Sequence, residues 1–184
     1  MVLRSKKKGS LVAMTGLSGS GKSTTAKALA DQAGAIRLRS DAVRKHLAGV
    51  PLYEKAPDSV YTSEMSDRTY TRLITLGVQL ALQGYRVILD AKFDRAAKRQ
   101  EAIATAQSKA MGVTFVHCTA PAAVLKARVT QRSSNITDRD IADATADILA
   151  KQSMEAFLEN AAVITLDTTQ NPADLKKQLA GIFS

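Results

Sequence analysis

The chain has 184 residues, of which 45% are hydrophobic, and this length is usual for one folded domain. No apolar run approaches the roughly 18 residues that cross a membrane, and no secretory leader is evident, so we expect a cytoplasmic protein. The only cysteine, Cys118, excludes an internal disulfide. The formal net charge of +9 favours anionic partners such as nucleotides, phosphorylated metabolites or nucleic acid, although a basic surface that only aids solubility has the same composition.

The N-terminal residues 1–10 are rich in lysine and are predicted to form a flexible basic arm. A first strand follows at Leu11–Thr15, where a short apolar run ends in glycine. Apolar residues then recur at helical spacing until Gly34 ends the helix. A second strand is predicted at 35–38, and a brief helix after it ends at Gly49.

The middle of the chain repeats this alternation of strand and helix. A long helix from about 59 to 83 leads into a third strand at 86–89. Asp94 is expected to cap the next helix, which continues to Met111. A fourth strand at 113–116 follows the end of that helix.

The last third of the chain adds three helices and one strand. The first of these helices leads into a polar stretch, after which Thr137 and Asp140 resemble a capping box that would begin a helix reaching about Phe157. A fifth strand is predicted at 162–166. Asn171 and the proline after it are typical of the start of a final helix.

Five short apolar strands that alternate with helices predict one α/β domain over residues 11–184, with a parallel sheet covered on both faces. In such sheets, ligands bind beyond the carboxyl ends of the strands. Gly16, Asp41 and Asp90 should all emerge at that edge, together with the residues after His117. The candidate functional residues therefore converge on one side of the sheet.

Residues 16–23 have the pattern G-x-x-x-x-G-K-S between a predicted strand and a predicted helix, which is the Walker A phosphate loop in its required context. Glycines let successive backbone amides face phosphate oxygens, and the helix directs its positive end at them. Lys22 would neutralise the β and γ phosphates, and the Ser23 hydroxyl would bind Mg²⁺. We therefore expect ATP and Mg²⁺ to bind. The predicted nucleotide-binding residues are Gly16, Leu17, Ser18, Gly19, Ser20, Gly21, Lys22, Ser23 and Thr24.

Phosphate loops also serve GTPases, motors and transporters, so other residues must decide the function. The sequence lacks the N-K-x-D element that reads guanine in GTPases. Asp41 follows the second strand, where a carboxylate can orient or deprotonate the hydroxyl of a phosphate acceptor. Arg44 lies one turn later and could anchor the acceptor. The structural alternative is that Asp41 only caps its helix.

Asp90 ends an apolar strand, an arrangement that can hold a magnesium-bound water. It could instead position the acceptor or Arg95. Four basic residues crowd the start of the next helix, where they could bind a phosphorylated substrate or simply form a solvated face. They are Lys92, Arg95, Lys98 and Arg99.

Arg128 and Arg132 are four residues apart and therefore share one helix face, immediately before a polar loop. A lid at about 128–140 would bring both guanidinium groups onto the transferring phosphate, and their planar, permanently charged forks suit a transition state with dispersed negative charge. A plain surface helix remains the alternative, because nothing in the sequence proves that the loop moves.

These motifs together resemble the small P-loop kinases that include zeta toxins, gluconate kinase and the kinase domain of polynucleotide kinases. The stretch R-S-D-x-x-R-K-x-L-A-G at 39–49 is most similar to AAA-family ATPase modules that are often joined to aminoglycoside-phosphotransferase-like domains. The likeness covers nearly the whole chain. It rests on residues 16–23, 39–41 and 87–90 and on Arg128 with Arg132.

The resemblance implies an adenylate-kinase-like, three-layer fold with a helical lid, and it implies the use of ATP and Mg²⁺. It assigns Asp41 as the carboxylate that activates the acceptor, Arg44 as an acceptor anchor, and Arg128 and Arg132 as lid arginines. The loop at 167–172 would lie beside the adenine. Lys92 departs from the small hydroxyl residue expected after the third strand, which leaves the acceptor open.

Three functions follow from this interpretation. The first is a kinase that moves the γ-phosphate of ATP to a hydroxyl of a small molecule, including a nucleotide sugar. The second is a polynucleotide 5′-hydroxyl kinase, which the basic charge favours and the scarcity of aromatic residues disfavours. The third is a nucleotide-controlled binding module with little or no turnover. Asp41 and the paired arginines argue against the third, and the sequence does not predict the oligomeric state.

Overall fold

The computed structural model of the chain describes residues 8–54, 56–134 and 149–183, and for residues 132–134 and 172 it describes the backbone alone. Its centre is a five-stranded sheet in which every neighbouring pair of strands is parallel. The strand order across the sheet is β2-β3-β1-β4-β5. The strands are β1 (Leu11–Thr15), β2 (Ile36–Arg39), β3 (Val87–Asp90), β4 (Thr114–Thr119) and β5 (Ala162–Asp167).

Helices connect the strands in the alternation that the apolar pattern predicts. A 3₁₀ turn, Asp58–Val60, precedes the longest helix of the described residues. The fold is therefore the predicted three-layer α/β arrangement. The α-helices of the described residues are α1 (Lys22–Ala33), α2 (Ser40–Leu47), α3 (Ser63–Leu82), α4 (Ala96–Gln107), α5 (Ala122–Ser134) and α6 (Pro172–Ala180).

The sheet separates two hydrophobic cores because successive side chains of a strand point to opposite faces. Leu11 and Ala13 of β1 pack into a core with residues of α3 and α4. Val12 and Met14, which alternate with them, pack into a second core with residues of α1 and α6. All five residues of β1 are buried, as expected of a central strand that helices cover on both faces.

Helix α6 begins as the sequence predicts, but α4 does not. The Asn171 side chain accepts hydrogen bonds from the first-turn amides of α6. Asp94 does not cap α4, whose N-cap residue is Arg95 and has no side-chain cap. The first-turn amide of Ala96 instead donates to the Glu155 carboxylate at 2.6 Å. A carboxylate distant in sequence has replaced the local cap, so this prediction was wrong.

The helix predicted from Thr137 to about Phe157 ends earlier in the structure than predicted. Thr137 and Asp140 lie outside the described residues, and residues 149–150 are helical. Residues 152–158 are not helical. The backbone there is engaged elsewhere, since the amide of Glu155 donates to the carbonyl of Asp94 at 3.0 Å.

Of the predicted basic arm at residues 1–10, the described part of the chain contains the last three residues. Residues 1–7 lie outside the described part of the chain, but the next three are attached to the domain. Lys8 Nζ donates to the carbonyl of Lys109 at 2.7 Å, and the amide of Gly9 donates to the carbonyl of Ala81 at 2.7 Å. Within the described residues, no helix has both the length and the apolar character needed to span a membrane.

The register of the sheet places the predicted site residues at one edge. Met14 of β1 is level with Asp90 of β3, which is level with Arg39 of β2. On the other side of β1, Thr15 is level with His117 of β4. The loops that leave β1, β2 and β3 therefore begin side by side at the carboxyl edge.

Candidate nucleotide and acceptor site

The phosphate loop bends at glycines where a side chain would not fit. Gly16, Gly19 and Gly21 have φ angles of 141°, 80° and 81°, values that favour glycine. A Cβ atom on Gly16 would lie 2.4 Å from the carbonyl oxygen of Cys118. One on Gly19 would lie 2.6 Å from the carbonyl oxygen of Leu125. The loop is thus packed tightly against the end of the neighbouring strand β4 and against α5.

Helix α1 begins directly after this bend and offers its N-terminus to a ligand. Its N-cap residue, Gly21, provides no side-chain cap for the first-turn amides. Such amides and the helix dipole form a site for phosphate. Ser20 is buried, and its Oγ has no hydrogen-bond partner in the described residues. A glycine cradle, an uncapped helix and an unpaired buried hydroxyl fit a polyphosphate.

Lys22 is the first residue of α1, and its ammonium lies against the phosphate loop. Lys22 Nζ donates to the carbonyl of Leu17 at 2.8 Å, so the ammonium lies beside the start of the loop. Ser23 follows on the first turn of the helix and is partly exposed, and Thr24 beside it is exposed. The predicted phosphate-binding residues therefore lie along the loop and the first turn of α1.

Arg128 contacts the phosphate loop from α5. Its guanidinium donates to the carbonyl of Gly19 at 3.2 Å, and it also donates to the hydroxyl and carbonyl of Thr168 at 2.8 and 2.9 Å. Thr168 lies in the loop after β5, which was predicted to flank the adenine. The side chain of Arg132 and the predicted lid beyond residue 134 lie outside the described residues.

Asp41 lies in the first turn of α2, at the carboxyl end of β2. Arg39 binds it through two hydrogen bonds, from Nε at 3.1 Å and from a terminal nitrogen at 2.6 Å. The N-cap residue of α2 is Arg39 and has no side-chain cap, so Asp41 does not occupy the cap position. The Asp41 carboxylate is 38% exposed and is accessible from solvent.

Arg44 follows Asp41 on the next turn of α2 and is partly exposed. Its guanidinium carbon lies 5.2 Å from the centre of the Tyr61 ring, a cation–π contact. Tyr61 is 45% exposed, so the contact holds the arginine side chain near the surface. The structure therefore brings Arg44 and Asp41 onto the same short helix at the sheet edge.

Asp90 ends β3 and is 6% exposed. Arg37, on the neighbouring strand β2, donates to its Oδ2 through Nε at 2.9 Å and through a terminal nitrogen at 2.5 Å. Both bonds are to the same oxygen, so Arg37 leaves Oδ1 to another ligand. Sequence reasoning missed this partner, because no periodicity shows that the Arg37 side chain reaches across to β3.

The basic residues at the start of α4 do not form one surface. Lys92 forms an ion pair with Asp94 at 2.8 Å. Lys98 pairs with Asp67 at 2.8 Å and with Glu101 at 3.1 Å. Arg95 is exposed, whereas Lys92 and Lys98 are partly buried.

Arg99 is fully buried. It therefore neither lies on a solvated helix face nor faces a phosphorylated substrate, and both predictions for it were wrong. Its guanidinium donates to the carbonyls of Phe93 and Asp94 at 2.7 and 3.0 Å. It also donates to the carbonyls of Glu155 and Ala156 at 2.8 and 2.6 Å. Arg99 therefore joins the loop after β3 to the segment that approaches β5.

His117 and Cys118 of β4 lie beside the phosphate loop. Burial, with the nearby charges of Arg99 and Lys22, lowers the pKa of His117. Burial raises the pKa of the Cys118 thiol to about 11. Among the described residues, no group of three or more His, Cys, Asp or Glu side chains is arranged to hold a metal ion.

Comparison with known families identifies the domain. Residues 11–159, most of the chain, match the family AAA_33, described as an AAA domain. The chain belongs to the AAA_33 family of AAA domains. A comparison with curated proteins gives no match.

Solved structures share the fold of this AAA domain. An APS kinase, CysC, of Mycobacterium tuberculosis in complex with AMPPNP and APS has 21% identity and a TM-score of 0.69, with 95% of each chain covered. A sugar kinase from Janibacter has 24% identity and a TM-score of 0.67, covering 92% of this chain and 91% of that one. A gluconokinase from Sinorhizobium meliloti has 19% identity and a TM-score of 0.64, covering 95% and 90%.

Proposed function

We propose that this AAA domain is an ATP-dependent kinase that transfers the γ-phosphate of ATP to a hydroxyl group of a small molecule. The supporting observation is that a phosphate cradle and an accessible carboxylate leave the same sheet edge. Gly16 follows β1, Asp41 follows β2, and one strand lies between them. Two strand spacings are roughly 10 Å, a separation that can accommodate a terminal phosphate and an acceptor hydroxyl.

The phosphate loop supplies the electrostatic part of the reaction. Backbone amides at the start of α1 hold the β and γ phosphates, and Lys22 neutralises charge that grows on the bridging oxygen as the terminal group leaves. The ammonium already lies over the loop, 2.8 Å from the Leu17 carbonyl, so a small side-chain movement brings it to a phosphate oxygen. The loop is packed closely against Cys118 and Leu125, and a loop held in one shape reduces the reorganisation that the reaction requires.

Asp41 accepts a hydrogen bond from the acceptor hydroxyl and takes its proton as the new P–O bond forms. Arg39 holds the carboxylate with two bonds, which fixes the direction of the oxygen that receives the hydroxyl. Arg44 can then bind an anionic or polar group elsewhere on the acceptor from the same helix. The transfer needs a correctly oriented acceptor and a group that takes its proton. In this proposal Arg44 orients the acceptor and Asp41 takes the proton.

A magnesium ion fits the oxygen donors of Ser23 and Asp90. The Ser23 hydroxyl would hold the ion directly, and Oδ1 of Asp90 would hold one of its water ligands. The ion would supply charge neutralisation between the β and γ phosphates when bound. Arg37 keeps the Asp90 carboxylate oriented through the other oxygen.

Three further arginines complete the proposal. Arg128 contacts the phosphate loop, and we assign it with Arg132 to stabilisation of the transferred phosphate and its nucleotide. Arg95 is exposed at the start of α4 and is assigned to acceptor binding. Structures with the same fold include a sugar kinase, a gluconokinase and an APS kinase, and this supports a small acceptor.

The finer assignments follow from the same resemblance. The motif at 39–49 resembles that of the modules joined to aminoglycoside-phosphotransferase-like domains, and we propose this type for the domain, with zeta toxins and polynucleotide kinases as related types. We place the reaction in the cytoplasm, where ATP is available. A polynucleotide 5′-hydroxyl remains the second acceptor class, because the net charge of +9 favours a polyanion.

The experiment is a screen for transfer of labelled phosphate from ATP to small metabolites and to 5′-hydroxyl oligonucleotides. The parent chain is compared with Lys22→Ala and Asp41→Asn, and Asp31→Asn is the control. Asp31 is an exposed carboxylate of α1 that pairs with Lys27, so its loss should leave transfer unchanged. We expect both site variants to remain folded and to lose transfer by about 100-fold or more.

The outcomes separate the three functions. Label on a metabolite that depends on Asp41 supports the proposal, whereas salt-sensitive labelling of the oligonucleotide alone shows the second acceptor class. Tight binding of ATP without label on any acceptor shows a nucleotide-controlled module. Unchanged transfer in Lys22→Ala would contradict the mechanism.

A further inference from the structure

One side chain that lies outside the recognised motifs contacts the phosphate loop twice. The amide of Ser18 donates to Oε1 of Gln152 at 2.9 Å, and Nε2 of Gln152 donates to Oγ of Ser18 at 2.9 Å. The two residues are separated by 134 positions in the chain. One glutamine amide therefore satisfies both a backbone and a side-chain group of the same loop residue.

The segment that carries Gln152 is fixed by buried contacts. Arg99 donates to two of its carbonyls, and its guanidinium carbon lies 4.5 Å from the ring centre of Phe157. Glu155, three residues after Gln152, accepts from the amide of Ala96 at 2.6 Å. The glutamine thus extends from an anchored backbone, which limits the positions that its amide can reach.

The opposite side of the loop is held by a different set of residues. Arg128 donates to the carbonyl of Gly19, and Thr168 donates through its hydroxyl to the carbonyl of Ser20 at 2.9 Å. Side chains from outside the motif therefore bind the loop on both sides. Two of them donate to the carbonyls of Gly19 and Ser20, and Gln152 accepts from the amide of Ser18. A loop rich in glycine loses much conformational entropy when it becomes ordered, so contacts that order it in advance favour ligand binding.

We propose that Gln152 is a positioning residue of the phosphate loop, one that holds Ser18 so that the loop receives the triphosphate of ATP in a preformed shape. This inference rests on the proposed function only in taking the loop to bind ATP. It assigns to Gln152 no role in proton or phosphoryl transfer. The expected signature is a change in ATP affinity with little change in the rate of the chemical step.

The test measures ATP binding by calorimetry and the KM and kcat of transfer in four proteins. They are the parent, Gln152→Ala, Ser18→Ala and the double variant. We expect Gln152→Ala to weaken ATP binding about tenfold, because two hydrogen bonds to the loop are lost. Ser18→Ala should weaken ATP binding about threefold less in the Gln152→Ala background than in the parent. The hydrogen bond between the two side chains is already absent in that background.

A second substitution distinguishes positioning from a purely structural contribution. Gln152→Glu preserves the shape of the side chain and can still accept from the Ser18 amide, but it places a negative charge beside the triphosphate. We expect a larger loss of ATP affinity than in Gln152→Ala, and we expect added salt to reduce that loss. The control is Gln107→Ala, an exposed glutamine at the far end of α4, which should bind ATP like the parent.

Specific results would overturn the inference. Tighter ATP binding in Gln152→Ala would show that the glutamine competes with phosphate rather than shaping its site. Equal affinity in the parent, Gln152→Ala and Gln152→Glu would show that the contact has no effect on the loop. A fall in kcat with unchanged ATP affinity would place Gln152 in the chemical step instead.

The failure of this inference can be separated from failure of the proposed function. A parent chain that binds ATP but transfers no phosphate refutes the kinase, while the calorimetric comparison still decides the role of Gln152. A folded parent chain that binds no nucleotide overturns both. Thermal unfolding of each variant confirms that the affinities compare folded proteins.

Discussion

The guanidinium of Arg128 donates to both the hydroxyl and the carbonyl of Thr168 while it also donates to the Gly19 carbonyl. This joins α5, the phosphate loop and the loop after β5 through one side chain. The arrangement depends on a planar fork, which lysine lacks. The phosphate loop is therefore connected to the segment predicted to flank the adenine.

The first prediction concerns this fork. Arg128→Lys retains the charge but cannot span the three acceptors, so we expect ATP affinity to fall about tenfold. Calorimetric titration with ATP measures the effect. Arg72→Lys, an exposed arginine of α3, is the matched control and should have no effect. Unchanged affinity in Arg128→Lys would show that charge alone is sufficient at this position.

The second prediction concerns the buried guanidinium of Arg99. Arg99→Met should lower the free energy of unfolding by about 3 kcal/mol or more, because the four hydrogen bonds that its guanidinium donates to main-chain carbonyls are lost in a buried site. Arg99→Lys should restore little of this, since one ammonium cannot replace a planar fork. Denaturant unfolding measures both variants, with Arg72→Met as an exposed control. A full rescue by lysine would contradict the role of the fork.

The third prediction contrasts two glycines with positive φ. Gly16→Ala places a Cβ atom 2.4 Å from the Cys118 carbonyl, so the phosphate loop must move and ATP binding should be lost. Gly34→Ala has open space around the new Cβ and should cost only about 1 kcal/mol of stability through its backbone conformation. Calorimetry and thermal unfolding separate the two effects. ATP binding by Gly16→Ala at parental affinity would contradict the close approach.

The fourth prediction is a pH dependence of stability. Burial and the charges of Arg99 and Lys22 lower the pKa of His117 in the folded state, so the unfolded chain binds a proton more readily. Stability should therefore fall as the pH drops below the unfolded value of 6.5 and should level off below the folded pKa. His117→Gln should reduce that loss when unfolding is measured between pH 8 and pH 5. An identical pH profile in His117→Gln would remove the histidine as its cause.

Local patterns predicted the fold because its determinants are local. Leu11–Thr15 is a continuous apolar run that a central strand requires, and the glycines after it begin the turn into α1. Asn171 with the following proline began α6 as predicted. Strand and helix alternation then fixes a parallel sheet, because parallel strands need crossover connections.

Long-range contacts limited prediction of the site. The phosphate loop was predicted from its spacing, and Asp41 from its place after β2. Asp94 was expected to cap α4, but Glu155 serves its first turn from a distant segment. Arg99 was grouped with surface charges because sequence alone does not show that four carbonyls surround it. Gln152 offered no signal, since a lone glutamine belongs to no spacing pattern.

Cys118 makes the chain suitable for site-directed spectroscopy. The thiol is 1% exposed and has a pKa of about 11, so near neutral pH it is protonated and shielded from alkylating dyes. A second cysteine introduced at Tyr53, which is 78% exposed, should therefore take up a maleimide fluorophore without competition from the native thiol. Tyr53 lies in the connection between α2 and α3, so such a dye would report on changes near α2, the helix that carries Asp41 and Arg44.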